Sequence, residues 1–160
     1  KIKGSFGHPV PVVDGKTQSS GAKASAIVLK KEFTDVKDLL CIDYTSAYST
    51  PSLDKLVRTF VYDRQGKGSF TVGDEFTANA PIRFETAITT QANWKIIDDT
   101  HLLLTTGTEQ MTVTIEASGK VAFTSETIEV NSPAYTRIGI SLKEQSKDGY
   151  IRLTMRTKQL

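Results

Sequence analysis

The sequence predicts an all-β fold: a two-layer antiparallel β-sandwich of about a dozen strands. Three observations predict it. Apolar residues recur with a period of two along most of the chain, as in Met111, Val113, Ile115 and Ala117 or Ile151, Leu153 and Met155. Clusters of Gly, Pro, Asn, Asp and Ser interrupt these runs at short intervals. No segment carries a helical period. A closed barrel is the lesser alternative.

Taken in order, the predicted strands cover 9–14, 25–33, 38–45, 55–64, 68–76, 81–90, 94–97, 101–106, 109–117, 120–130, 134–144 and 149–157. The first is a Pro-flanked lead-in that ends in a hairpin-type turn at Asp14-Gly15. The third ends at Asp43 and runs into the longest irregular stretch, Tyr44 to Leu53. Gln65-Gly66-Lys67-Gly68 separates the fourth strand from the fifth, and Asn79-Ala80-Pro81 marks a turn before the sixth. There Ile82, Phe84 and Ile88 share one face, and Arg83 and Glu85 the other. Trp94-Lys95-Ile96 reads as a half-buried strand. Leu102-Leu103-Leu104 does not alternate, which implies a strand covered on both sides. Ser118-Gly119, Asn131-Ser132-Pro133 and Lys147-Asp148-Gly149 separate the last strands. Threonine on the alternate positions suits the outer face of a pleated sheet.

At 160 residues the chain has the size of one domain, 1–160, large enough to bury a core. Twenty basic against 18 acidic residues leave a net charge of +2, which argues against a dedicated nucleic-acid binder. No apolar run is long enough for a membrane helix. The chain starts at Lys1 without a signal peptide, as a mature or excised segment would. The single cysteine, Cys41, cannot form an intrachain disulfide. It sits in Leu39-Leu40-Cys41-Ile42 and reads as a small buried hydrophobe, because no neighbouring base activates it.

Few residues offer chemistry. With two histidines and one cysteine, neither a three-histidine zinc site nor a Cys/His cluster is available. His8 is the best catalytic candidate. Pro9 restricts its backbone, Pro11 stiffens the segment, and a rigid backbone aims an imidazole. The bland alternative is an edge histidine in a Pro-rich lead-in. His101, after Asp98-Asp99-Thr100, reads as a solvated strand-edge residue. Asp43 is either a metal or orienting carboxylate or, as is commoner at a strand end, an acceptor for the Thr45 or Ser46 backbone. Arg58 shares a face with Phe60 and Tyr62. That face is either a glycan-contact surface or an outer-face ladder of cross-strand pairs. Tyr48 and Tyr44 flank the long loop as candidates for stacking on a sugar, with Tyr44 the better core residue.

Gly7-His8-Pro9 followed by Val12-Val13-Asp14-Gly15-Lys16-Thr17-Gln18 resembles the start of the C-terminal β-domain of heparinase II/III-like polysaccharide lyases. Asp43-Tyr44-Thr45-Ser46-Ala47-Tyr48, Leu56 to Tyr62 with Arg58, and Phe70-Thr71-Val72-Gly73-Asp74-Glu75-Phe76 resemble later segments of that family, in the same order and spacing. The resemblance implies a two-part enzyme. An N-terminal α/α toroid carries most catalytic groups and a β-sandwich packs against it. The reaction it implies is β-elimination on an acidic, uronic-acid-containing polysaccharide such as a glycosaminoglycan. A base takes the C5 proton once the carboxylate is neutralised. His8 is then the β-domain's contribution to a shared cleft, with Arg58 and Tyr48 as weaker substrate contacts. This chain is then one wall of the cleft and inactive alone.

The resemblance also implies a periplasmic or extracellular location. Some members bind a structural zinc in the β-domain. Here Val10 stands two residues after His8, and Arg83 to Thr89 holds no histidine, so the expectation is no metal and no cofactor. Asp43 would be a lone surviving ligand. The competing expectation is a non-catalytic carbohydrate-binding or structural sandwich module.

Overall fold

The computed structural model describes residues 4–129 and 133–158, the side chain of Lys158 excepted. Two antiparallel sheets face each other. The smaller has the order β1 (Val12–Val13), β6 (Phe84–Thr90), β11 (Tyr135–Leu142), β10 (Val121–Ile128). The larger has the order β2 (Ile27–Phe33), β3 (Lys37–Asp43), β4 (Leu53–Asp63), β5 (Ser69–Ile82), β12 (Ser146–Lys158), β9 (Glu109–Ala117), β8 (His101–Thr106), β7 (Asn93–Asp98). Single 3-10 turns occupy Ser5–Gly7 and Thr45–Ala47. The predicted all-β sandwich is therefore the observed one.

The alternation read from the sequence is the alternation of burial. Leu56, Phe76, Ile82, Phe84, Leu102, Val113, Ile138, Ile140, Ile151 and Leu153 all lie in the core between the sheets. Phe76 and Phe84 stack across the layers at 4.6 Å between ring centroids. Leu102 and Leu104 face this core, whereas Leu103 is only half-buried on the other side of β8, so that strand is not covered equally on both faces.

The Asp14-Gly15 turn forms as expected. Both residues have positive φ, 49° and 73°, and Val13 and Lys16 exchange backbone hydrogen bonds. That is the two-residue geometry whose twist matches a hairpin. Asp14 tolerates it because its carboxylate accepts the Arg83 amide at 2.8 Å.

Two predicted turns lie inside strands. Neither Asn79-Ala80-Pro81 nor Lys147-Asp148-Gly149 breaks the chain, because β5 runs on to Ile82 and β12 starts at Ser146. They face one another in a single irregularity, where the register jumps from Asp148–Thr77 to Ser146–Ile82. A bulge needs no ladder bond from the Pro81 nitrogen, so proline is tolerated there. One residue, Arg83, then carries the chain from the larger sheet to the smaller. The first predicted strand is correspondingly shorter, since only Val12 and Val13 join a ladder. Pro9 and Pro11 have no N–H to offer. Of the turn expected at 131–133, Asn131 and Ser132 lie outside the described residues.

The smaller sheet covers only the middle of the larger. All seven residues of β2 are exposed, and so are most of β7. Register partners show where cover ends. The row Val28, Ile42, Arg58, Asp74, Ile151 crosses five strands and is buried at Arg58, Asp74 and Ile151. Two rows further out lie Phe33, Asp38, Tyr62, Phe70 and Met155, on the same face. There Phe33 is 65% exposed, Tyr62 46% and Phe70 38%.

Candidate functional site

His8 follows the 3-10 turn Ser5–Gly7 with extended backbone, φ −106° and ψ 160°. Its amide donates to the Ser5 carbonyl at 3.0 Å, and the Val10 amide returns to its carbonyl at 2.8 Å, closing a tight turn around Pro9. The side chain is exposed, and no described residue hydrogen-bonds the imidazole. It lines a depression of about 260 Å³ with Gly7, Pro9, Thr89, Gln91 and Tyr135. Pro9 and Thr89 also line an adjacent groove of about 240 Å³, walled among others by Phe60, Phe70, Val72 and Met155, with Arg58 the one charged residue in its lining. That groove opens on the uncovered part of the larger sheet. The imidazole thus stands free at the border of an apolar face, where it can accept a proton or, once charged, face a carboxylate.

Beneath this edge lies a buried polar network. Asp74, 1% exposed, accepts four hydrogen bonds. Arg58 donates through Nε at 2.7 Å and a terminal nitrogen at 2.8 Å, Tyr44 through its hydroxyl at 2.7 Å and Thr86 at 2.7 Å. Thr86 belongs to β6, so the cluster joins the two sheets. Burial works against the Arg58 charge, but the Asp74 carboxylate outweighs it and holds the guanidinium above its ordinary pKa. Burial, reinforced by the Asp74 charge, pushes the Tyr44 and Tyr48 hydroxyls well above theirs. Both phenols stay protonated and act as donors.

Arg58 and Tyr48 therefore do not sit where the sequence placed them. Arg58 does share a face with Phe60 and Tyr62, but that face is the inner one. The Arg58 side chain is 8% exposed and its guanidinium is bound to Asp74 through two nitrogens. Tyr48 is 7% exposed and its hydroxyl donates to the Pro11 carbonyl at 2.8 Å. Tyr48 is buried away from the surface, whereas the nearly buried Arg58 still lines the floor of the groove beside Pro9, and both hold the chain that carries His8. Asp74 was missed, although a carboxylate on the same alternation as Val72 and Phe76 demands a buried partner.

Asp43 takes the commoner role. Its Oδ1 accepts the Thr45 amide at 3.0 Å and the Thr45 hydroxyl at 2.6 Å. Burial raises its pKa, but these two bonds outweigh it and hold the carboxyl below its usual range. Among the described residues no three His, Cys, Asp or Glu side chains cluster as a metal ion would require. His101 opens β8 with Nδ1 3.0 Å from Asp98. The Thr100 amide first, then His101, lowers the Asp98 carboxyl to about 2. His8 and His101 are not brought together. Cys41 is half-buried, with the Thr59 hydroxyl 3.6 Å from its sulfur. A depression of about 830 Å³ lies between the Asp14-Gly15 turn and Leu142 to Gln145 and contains neither histidine.

No family model and no curated protein matches the chain. Solved structures do. A heparinase III matches with a TM-score of 0.77 at 16% identity, over 99% of this chain and 25% of that one. A heparan sulfate lyase from Pedobacter heparinus matches with a TM-score of 0.72 at 13% identity, over 96% of this chain and 24% of its own. A second heparinase III matches with a TM-score of 0.71 at 13% identity, over 95% and 24%. The chain thus spans about a quarter of the length of the solved chains it resembles. At this identity the likeness establishes architecture, and the architecture is that of a heparinase III-like β-sandwich domain.

Proposed function

We propose that this chain is the β-sandwich part of a polysaccharide lyase that cleaves uronic-acid-containing glycans by β-elimination. In this reading it contributes His8 to a cleft whose other wall comes from an N-terminal α/α toroid, and it is inactive alone. One observation carries the proposal. The only candidate imidazole on a braced, extended segment stands unpartnered where the core of the sandwich gives way to an uncovered apolar face. A free monomer rarely exposes such a face without a partner to cover it. Phe33, Phe70 and the groove beside Pro9 form it, next to Tyr62, whose ring carries the Arg64 guanidinium, so a docked second module would close a cleft over His8. The likeness of the fold to solved heparinase III and heparan sulfate lyase chains supports an acidic glycan as the substrate.

In such a cleft His8 takes one of two roles, accepting the C5 proton or neutralising the carboxylate beside it. The remaining groups of the reaction belong to the other module. The proposal extends to a periplasmic or extracellular setting, where polymeric acidic glycans are met.

The test compares two proteins on heparan sulfate. The 160-residue chain should release no unsaturated product, while the longer parent chain carrying it should do so, followed by ultraviolet absorbance. Calorimetry on the 160-residue chain should show no tight binding. Tight binding by the chain alone, with no lyase activity in the parent, would replace the proposal with a carbohydrate-binding module.

A further inference from the structure

We infer that Tyr135, Arg58 and Tyr48 are positioning residues that aim His8, by gripping every second carbonyl of the segment around it. The inference rests on the reading of His8 given above. Its basis is a pattern of three hydrogen bonds. Tyr135 donates its hydroxyl to the Gly7 carbonyl at 2.7 Å. Arg58 donates a terminal nitrogen to the Pro9 carbonyl at 2.8 Å. Tyr48 donates its hydroxyl to the Pro11 carbonyl at 2.8 Å. The donors come from three places: the first residue of β11 in the smaller sheet, the middle of β4 in the larger, and the residue after the Thr45–Ala47 turn.

The sequence makes such a grip necessary. With prolines at 9 and 11, the segment has lost two of the amides a strand would use for pairing. Its carbonyls remain, and buried carbonyls need donors. Side chains supply them, so the segment is braced without belonging to a ladder. The His8 carbonyl is taken locally by the Val10 amide, and Ser5 Oγ accepts the Gln18 amide at 2.8 Å, tying the start of the segment to the strand-turn beyond. The grips flank His8 on both sides and leave its ring free.

Two of the three grips share one foundation. Arg58 spends Nε and one terminal nitrogen on Asp74, and only the remaining nitrogen reaches Pro9. A guanidinium can make this three-way fork and an ammonium cannot. The Tyr48 ring packs edge-on against Tyr44 at 5.8 Å, and Tyr44 is bound to Asp74. The backbone that carries the exposed imidazole is thereby tied to the buried Asp74 network, as a preorganised site needs.

The test removes two hydroxyls and leaves both rings, as Tyr48→Phe with Tyr135→Phe. In the 160-residue chain, the order parameter of the His8 backbone N–H should fall from about 0.85 to below about 0.6, with the melting temperature moved by only a few degrees. In the parent chain the same double variant should lower kcat about tenfold and leave KM for heparan sulfate within about twofold. An unchanged His8 order parameter would overturn the inference, as would full kcat in a parent that His8→Ala inactivates. If the segment loosens but His8→Ala leaves the parent fully active, the grip stands and the catalytic reading of His8 falls.

Discussion

Replacing Asp74 with alanine removes the acceptor on which both sheets converge. The variant leaves Arg58 charged with its side chain 8% exposed, and leaves the Tyr44 and Thr86 hydroxyls without their acceptor at 4% and 1% exposure. Breaking a buried ion pair by deleting one partner costs roughly 3–5 kcal/mol. Each stranded hydroxyl adds about 1 kcal/mol, part of which the first figure already contains. A loss of about 5 kcal/mol follows, a large share of the roughly 5–15 kcal/mol that holds a domain together. For a chain of this length it corresponds to about 10–20 °C in melting temperature. Urea denaturation followed by tryptophan fluorescence measures it. The control is a cycle of Arg58→Met, Asp74→Leu and the Arg58→Met, Asp74→Leu pair. The pair should lose about 3 kcal/mol less than the summed singles, because no charge is left stranded. A loss below about 1 kcal/mol for Asp74→Ala, or additive singles, would refute the view that the network is buried and shared.

Two further outcomes follow from the geometry. Gly139→Ala should destabilise by about 1–3 kcal/mol, since its new carbon would meet Thr124 Oγ1 at 2.5 Å and Glu85 Cδ at 2.8 Å, displacing a carboxylate bound to the buried Arg137; thermal melts of Gly139→Ala with and without Thr124→Ala should show partial rescue. Acid should weaken the fold through Asp98, whose folded pKa of about 2 lies below the 3.8 of a free side chain. Such a depressed carboxyl stabilises fully above about pH 4 and loses its contribution as pH falls toward about 2. The urea midpoint of Asp98→Asn should therefore fall less steeply across that window than that of the parent sequence.

The period of two made nearly every strand legible, because half-buried antiparallel strands write their two faces directly into alternate residues. The same rule placed Arg58 correctly beside Phe60 and Tyr62 and still misjudged its surroundings. Alternation separates two faces but does not say which one a second sheet covers. Had Asp74 been noticed on the same parity as Val72 and Phe76, two opposite charges on inner faces of neighbouring strands would have suggested a pair. The turn signals at Pro81 and Gly149 misled for a related reason. Each is a local breaker, and the bulge that accommodates both exists only where the two strands meet. Between β5 and β6 the chain changes sheet at a single residue, Arg83, whose position carries no local signal. His8 stood out in the sequence because Pro9 follows it and Pro11 stiffens the segment. The hydroxyls that brace it come from residues 48 and 135, far along the chain, and nothing local announces them.

The account turns on whether the imidazole of His8 does chemistry at the edge of the uncovered face. Turnover of heparan sulfate by the parent chain carrying His8→Ala, measured with its melting temperature, addresses this directly. The account predicts unsaturated product reduced at least a hundredfold at an unchanged melting temperature, as for loss of a general acid–base group. Full turnover by a normally folded His8→Ala parent would contradict it.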